Sequence, residues 1–330
     1  MEHPYLLFLG NAKDQLAAKT AQGVADWRPE WCLGQFKLPN CNADLGLANM
    51  TLEEAAEAGA KTLVVGVANR GGIISEAWTA TLVRAMELGM DIASGLHNRL
   101  RDTIAISDAA EQHSRSLFDV RHPTRHFSVA SGVPRSGKRL LAVGTDCSLG
   151  KMYTTLALWK GMQERGMKSD FRATGQTGIF IAGDGVSVDA VVADFISGGI
   201  EELSPDNGDD HWDIIEGQGS LYNPAFAGVS LGLLHGAQAD IVIMCHEADR
   251  PYIKGMPHMD MPEMNDCIKL NLKHASLTNP KARLGGISLN CRNVSVKEGA
   301  KQRNALQEKF GVPCFDPMIT GSGLFVETLK

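Results

Sequence analysis

Short apolar runs alternate with longer amphipathic stretches along most of the chain. YLLFLG (Tyr5 to Gly10) is apolar throughout and closes on a glycine, the pattern of a buried parallel strand. TLEEAAEAGA (Thr51 to Ala60) has helical character, with Thr51 and Glu54 spaced as a capping box. TLVVGVA (Thr62 to Ala68) predicts the next strand, ISEAWTATLVRAMELG a helix stopped by Gly89, and MDIAS (Met90 to Ser94) another strand. This repetition implies right-handed crossovers and a parallel sheet. Between Asp119 and Arg139 the periodicity fails, in a stretch rich in Pro, Gly, Ser and basic residues, DVRHPTRHFSVASGVPRSGKR. A linker there divides the chain into residues 1–130 and 131–330. Beyond it the α/β pattern resumes, with LLAVG, KSDFRATG, WDIIEG, DIVIMCH, LGGISLN and VPCFD as strand candidates.

The first strand of the second half runs into a distinctive turn, LLAVGTDCSLGKMYTT (Leu140 to Thr155). A Gly-rich turn between strand and helix exposes consecutive backbone N–H groups, and the helix adds its positive end. Lys151 supplies a charge for a phosphate. The fold class expected is therefore α/β with two domains, a Rossmann-like parallel-sheet domain followed by a P-loop NTPase-like one. The loop departs from the usual P-loop in two ways. Thr145 stands at the usual first glycine, with Gly144 one place further out, as in the loop of dethiobiotin synthetase, which this one resembles. Met152 stands where a hydroxyl residue binds Mg²⁺, and a thioether is a poor ligand for that hard cation. Thr154 and Thr155 lie further along the helix. A loop that holds a pyrophosphate without cleaving it fits better, and coenzyme A carries such a group. The residues assigned to it are Gly144, Thr145, Asp146, Cys147, Ser148, Leu149, Gly150, Lys151 and Met152.

Other strand ends carry further chemistry. RATGQTGIFIAGDG (Arg172 to Gly185) offers Arg172, Gln176, Thr177 and Asp184 at the carboxyl end of a strand, where α/β ligand sites form. IEGQGSLYNPA (Ile215 to Ala225) places Glu216 at a strand end as a candidate general base or metal ligand, with Gln218 beside it. CHEADRP (Cys245 to Pro251) brings His246, a second candidate base, and Arg250, a fork for a substrate carboxylate. Asp194, in AVVADFISGG, has apolar neighbours, and burial there would require a partner. Cys147 is a conceivable nucleophile at a helix N-terminus. In the first half, Gly71-Gly72 beside Arg70 form a second candidate anion nest, and His97 and Arg99 follow a strand. Neither loop carries a dinucleotide fingerprint.

Composition narrows the classes. The chain has 330 residues, 44% apolar and 21% charged, so a packed core is expected. A net charge of −6 argues against a general nucleic-acid binder and against attraction to anionic lipid. No apolar run approaches the ~20 residues of a membrane span. The start, MEHPYLLFLGNAKD, lacks the basic region of a signal peptide. Seven scattered cysteines with no C-x-x-C pair read as reduced thiols in the cytoplasm, with no zinc site and no other metal expected. A homodimer or higher homo-oligomer is the default expectation for a soluble chain of this size.

GTDCSLGKM, ATGQTGIFIAGDG, DFISGG, IEGQGSL with a following Pro-Ala, and CHEADR, together with NRGG, SGLHNRL and DVRHP, run through nearly the whole chain. Together they resemble the DgcN-type family of D-glutamate N-acetyltransferases. That resemblance implies acetyl transfer from acetyl-CoA to the amine of D-glutamate, and Met152 belongs to the family's pattern. Acetyl-CoA would lie on Gly144 to Lys151, Glu216 or His246 would take the amine proton, and amides such as Gly217 or Gly178 would hold the oxyanion. Arg172 or Arg250 would hold the substrate carboxylates. The rival expectations are an ATP- and Mg²⁺-dependent ligase or kinase, with Glu216 and Asp184 on the metal, and a non-catalytic nucleotide sensor.

Overall fold

The computed structural model describes residues 1–68 and 72–329. Arg70 and Gly71 of the first-half anion nest lie outside them. Two compact units emerge: Met1–Thr124 with Gln176–Ala190, and Arg125–Gly175 with Val191–Lys330.

The first unit is built on strands β1 (Tyr5–Gly10), β2 (Cys32–Lys37), β3 (Thr62–Val65), β4 (Asp91–Ser94) and β5 (Leu117–Asp119). They pair in the order β2-β1-β3-β4-β5, every neighbour parallel. This is a doubly wound sheet whose order reverses beside β1. Its helices are α1 (Lys19–Trp27), α2 (Leu52–Glu57), α3 (Glu76–Glu87) and α4 (Ile104–Gln112). The predicted capping box opens α2: Glu54 N donates to Thr51 Oγ1 at 3.1 Å, and Thr51 N to Glu54 Oε2 at 2.8 Å. β1 and β3 are buried on both faces, which is why their apolar runs are unbroken.

The second unit starts with β6 (Lys138–Gly144), α5 (Lys151–Gln163) and β7 (Ser169–Arg172). The chain then leaves it for α6 (Gln176–Ala182), which packs on α1 in the first unit. Arg28 Nε donates to Ile181 O at 2.9 Å, and Arg121 pairs with Asp189 at 2.7 Å. Returning, the chain forms α7 (Ile196–Leu203), β8 (Trp212–Ile215), α8 (Ala227–Ala237) and β9 (Ile241–Glu247). A small hairpin follows, β10 (Tyr252–Ile253) and β11 (Met256–Asp260). The rest is α9 (Met264–Thr278), β12 (Arg283–Asn290), α10 (Val296–Phe310), β13 (Cys314–Phe315) and α11 (Gly323–Val326). The main sheet is parallel, in the order β13-β12-β9-β6-β8-β7. Leu140, Leu158, Met162, Ile214, Ile243, Phe315 and Phe325 fill its core, each contributing about 1.5–3 kcal/mol of apolar burial. β6 lies between β8 and β9, so the turn after it opens where strand order reverses. No helix among the described residues is long and apolar enough to cross a membrane.

Candidate functional site

The turn after β6 is held from several sides by one carboxylate. Asp146 is fully buried. Its Oδ1 accepts from Asn223 Nδ2 at 2.7 Å, and its Oδ2 accepts from Arg250 Nη2 and from Lys254 N, each at 2.7 Å. Burial alone would raise its pKa. The hydrogen bonds from Asn223, Lys254 N and Cys147 N, with the Arg250 charge, outweigh that and hold it below the usual carboxylate range. Ser220 Oγ adds a bond to Thr145 O at 3.1 Å, tying in the segment after β8. Ser148 and Gly150 take positive φ, 55° and 103°, to bend the turn into α5. Gly150 caps that helix without any side-chain hydrogen bond, leaving the orphan N–H groups of its first turn for a ligand.

Lys151 is buried, and its ammonium donates to Asp146 O at 2.8 Å. Burial lowers its pKa against the smaller raising influences of Cys245, Cys147 and Asp146, and it forms no salt bridge among the described residues. Gly217 makes room for it: a Cβ there would lie 1.7 Å from Ala142 O and 3.0 Å from Lys151 Cδ. The helix hydroxyls are turned inward. Thr154 Oγ1 bonds Gly150 O and Ser288 Oγ, and Thr155 Oγ1 bonds Lys151 O and Met152 O. Neither replaces the hydroxyl that Met152 lacks.

The candidate bases differ sharply. Glu216 is buried, and its Oε2 accepts Thr174 N at 2.9 Å and Gly175 N at 3.1 Å, so the carboxylate anchors the chain after β7. Gln218 Nε2 joins it by donating to Thr174 Oγ1 at 3.2 Å. His246, at the end of β9, has Nδ1 2.8 Å from Thr145 Oγ1. Burial, with the Arg250 charge, lowers its pKa against the raising influence of Glu247, which favours the neutral imidazole. Cys147 is the reverse case: burial, then Asp146, push its thiol pKa up, which disfavours the thiolate a nucleophile needs.

The structure brings Gly144 to Met152, Glu216, Gln218, His246 and Arg250 together in the second unit. Arg250 differs from the expected free fork: its guanidinium is committed to Asp146, to Cys147 O at 3.0 Å and to Glu247 at 3.3 Å. Glu247 in turn takes Arg292 Nε at 2.6 Å and Asn293 at 3.0 Å. Arg172 is likewise committed to carboxylates rather than left as a free fork. Its Nε binds buried Asp213 at 2.8 Å and its Nη2 binds Asp170 at 3.2 Å. His211 joins this group, the one cluster of potential metal ligands among the described residues, and the Arg172 guanidinium already fills it. Gln176 and Thr177 belong to the first unit, where Gln176 Nε2 binds Ser187 and Asp189, and Thr177 Oγ1 meets Thr20 at 3.4 Å. Gly178 and Asp184 go with them. Asp194 is exposed in a short 3₁₀ turn before α7, so it has no burial to offset.

Sequence reasoning missed Asn223, Ser220 and Lys254. Lys254-Gly255 between Tyr252–Ile253 and Met256 is a two-residue hairpin turn, and that dipeptide was the one available signal.

Comparison with known proteins identifies the family. Residues 128–326 match the "Domain of unknown function (DUF1611_C) P-loop domain", and residues 40–123 match the "Domain of unknown function (DUF1611_N) Rossmann-like domain". A D-glutamate N-acetyltransferase of Tritonibacter scottomollicae is 53% identical over 329 residues, 100% of this chain and 99% of its own. Another D-glutamate N-acetyltransferase, from a Pseudoalteromonas species, is 49% identical across 99% of this chain and 98% of its own. The crystal structure of a DUF1611 family protein from Anabaena variabilis, 28% identical, superposes with a TM-score of 0.88 over 99% of both chains.

Proposed function

This chain belongs to the DUF1611 family, and from that premise we propose that it is a D-glutamate N-acetyltransferase using acetyl-CoA as the acyl donor. The relatives' activity supplies the acceptor and the transferred group. The donor rests on the turn after β6. The observation that carries it is a buried Lys151 ammonium beside an uncapped helix start, in a loop with Met152 where the magnesium hydroxyl would stand. That donor set suits a diphosphate that is bound rather than cleaved.

In this reading the coenzyme diphosphate lies along Ser148 to Lys151, and the thioester carbonyl is attacked by the neutral amine of D-glutamate. His246 takes the amine proton at Nε2. Its Nδ1–H then donates to Thr145 Oγ1, which fixes the tautomer. The tetrahedral intermediate collapses with loss of the coenzyme thiolate, and the N–H of Gly217 is the proposed oxyanion donor. Glu216 is demoted from base to anchor, because its Oε2 already accepts two backbone amides. A rival ATP-dependent ligase would need magnesium held in this loop, and Asp146 is fully engaged by Asn223, Arg250 and Lys254.

The test is thiol release from acetyl-CoA on addition of D-glutamate, with ATP–Mg²⁺ turnover measured in parallel. Lys151→Ala is expected to raise the acetyl-CoA KM about 10- to 100-fold, the range of a charge-assisted phosphate contact. Turnover of ATP–Mg²⁺ with no thiol release would overturn the reading.

A further inference from the structure

The hairpin β10–β11 has no part in either sheet, yet its tip is fastened to the phosphate loop. Ile253 pairs with Met256, which leaves Lys254 and Gly255 as a two-residue turn, with Gly255 at φ 78°. Lys254 N is held by the fully buried Asp146 carboxylate at 2.7 Å, while the Lys254 side chain is solvent-exposed. Its ammonium rests on Ser148 Oγ at 2.7 Å. Among the described residues it has no carboxylate partner, unlike Arg250 four positions earlier. A lysine on a floppy tip would swing freely. This one has its backbone pinned by the carboxylate that shapes the loop, and its charge is delivered to the loop's rim.

We propose that Lys254 is a second phosphate-binding residue, closing on the coenzyme diphosphate from the exposed rim of the loop and supplying the counter-charge that a magnesium ion provides in nucleotide-cleaving loops. The inference rests on the acetyl-CoA reading above and deepens it. Charge supports it. The hydrogen-bonded set around the loop contains the cations Lys151, Arg250, Lys254 and Arg292, and the anions Asp146 and Glu247. Arg250 and Arg292 are matched by those two carboxylates. The two lysines are left over, and a diphosphate diester carries two negative charges. Lys151 is buried within the turn; Lys254 stands at its surface, where its flexible stem can follow a ligand inward. Ser148 Oγ holds the ammonium in readiness, and that hydrogen bond is exchanged for a phosphate oxygen when the donor arrives.

The experiment compares two acyl donors with D-glutamate as acceptor: acetyl-CoA, and S-acetyl-pantetheine, which has the same thioester but no diphosphate. The wild type is expected to prefer acetyl-CoA by kcat/KM. In Lys254→Ala that preference should shrink about 10- to 100-fold, through KM, with a corresponding loss of salt sensitivity. Lys254→Arg should restore part of it. If the preference is unchanged in Lys254→Ala yet collapses in Lys151→Ala, the proposal is overturned and the acetyl-CoA reading stands. If Lys254→Ala weakens both donors equally, the residue merely shapes the loop, and the proposal is again overturned. A wild type that shows no preference between the donors would remove the diphosphate cradle itself.

Discussion

Two clusters of charged side chains in the second unit are each organised by a buried aspartate paired with an arginine. Toward the far end of β7 and β8, Asp213 receives Arg172 Nε at 2.8 Å and Ser204 Oγ at 2.6 Å, while Arg139 reaches Ser204 Oγ at 2.9 Å and the carbonyls of Ser136 and Pro205. Its guanidinium groups end on protein acceptors, so the cluster is closed. The cluster at the turn after β6 is also organised by a buried aspartate, Asp146, but it ends in two lysines without carboxylates. The difference separates scaffolding from binding. An arginine has five donors in a fixed fork and suits a permanent junction; a lysine is a mobile point charge that can exchange partners. Neither arginine chosen from the sequence as a substrate fork is free of carboxylates, whereas the two lysines of the open cluster bond only a carbonyl and a hydroxyl, with no ion pair among the described residues.

Perturbing each cluster should therefore give different signatures. The largest expected effect is on chemistry beside the open one: His246→Gln should lower kcat about 10²- to 10⁴-fold with little change in donor KM, read by thiol release. Because burial lowers the His246 pKa, the base form dominates at neutral pH, and activity should fall only on acidification through a pKa below the usual ~6.5 of histidine. A kcat profile that breaks at or above that value would contradict the assignment. Next is the closed cluster. Asp213→Ala removes the buried partner of Arg172 Nε, leaving Arg172 only the exposed Asp170, and unpairs the Ser204 hydroxyl. It should cost about 3 kcal/mol in denaturant unfolding while leaving the donor KM within about twofold. A large rise in KM with unchanged stability would erase the distinction between the clusters. The smallest effect concerns Cys147. With its thiol pKa raised, it should alkylate slowly near pH 7.5, and intact-protein mass spectrometry after mixing with acetyl-CoA should show no acetyl adduct. A stoichiometric adduct on Cys147 would restore the covalent route.

The strands buried on both faces were legible because parallel sheets demand unbroken apolar runs: β1, β3, β6 and β9 fall where their runs lie. β2 was not, because CLGQFK is half-buried at an edge and interrupted by Gly34 and Gln35. Gln35 has a tertiary task, donating to Leu47 O and Asn49 Oδ1, that no local pattern announces. β5 and the hairpin were too short to show a period. In the site, the turn after β6 was legible because its glycines and lysine act through the backbone and through position. The fates of Arg172 and Arg250 were not, since whether a guanidinium is free depends on acidic residues up to about a hundred positions away, such as Asp146 for Arg250.

The excursion of residues 176–190 bears on heredity as well as architecture. The chain leaves the second unit after β7, deposits α6 with the first unit, and returns. Ile179, Phe180 and Ile181 of that helix are buried there. A gene fragment cut at the linker would carry an apolar helix whose home had been left behind, and the other fragment would lack a piece of its own wall. The two halves are thus not beads that recombination can trade. They are inherited as one indivisible unit, and a library that swaps either half at residue 125 should yield mostly insoluble chains unless residues 176–190 are redesigned with the cut.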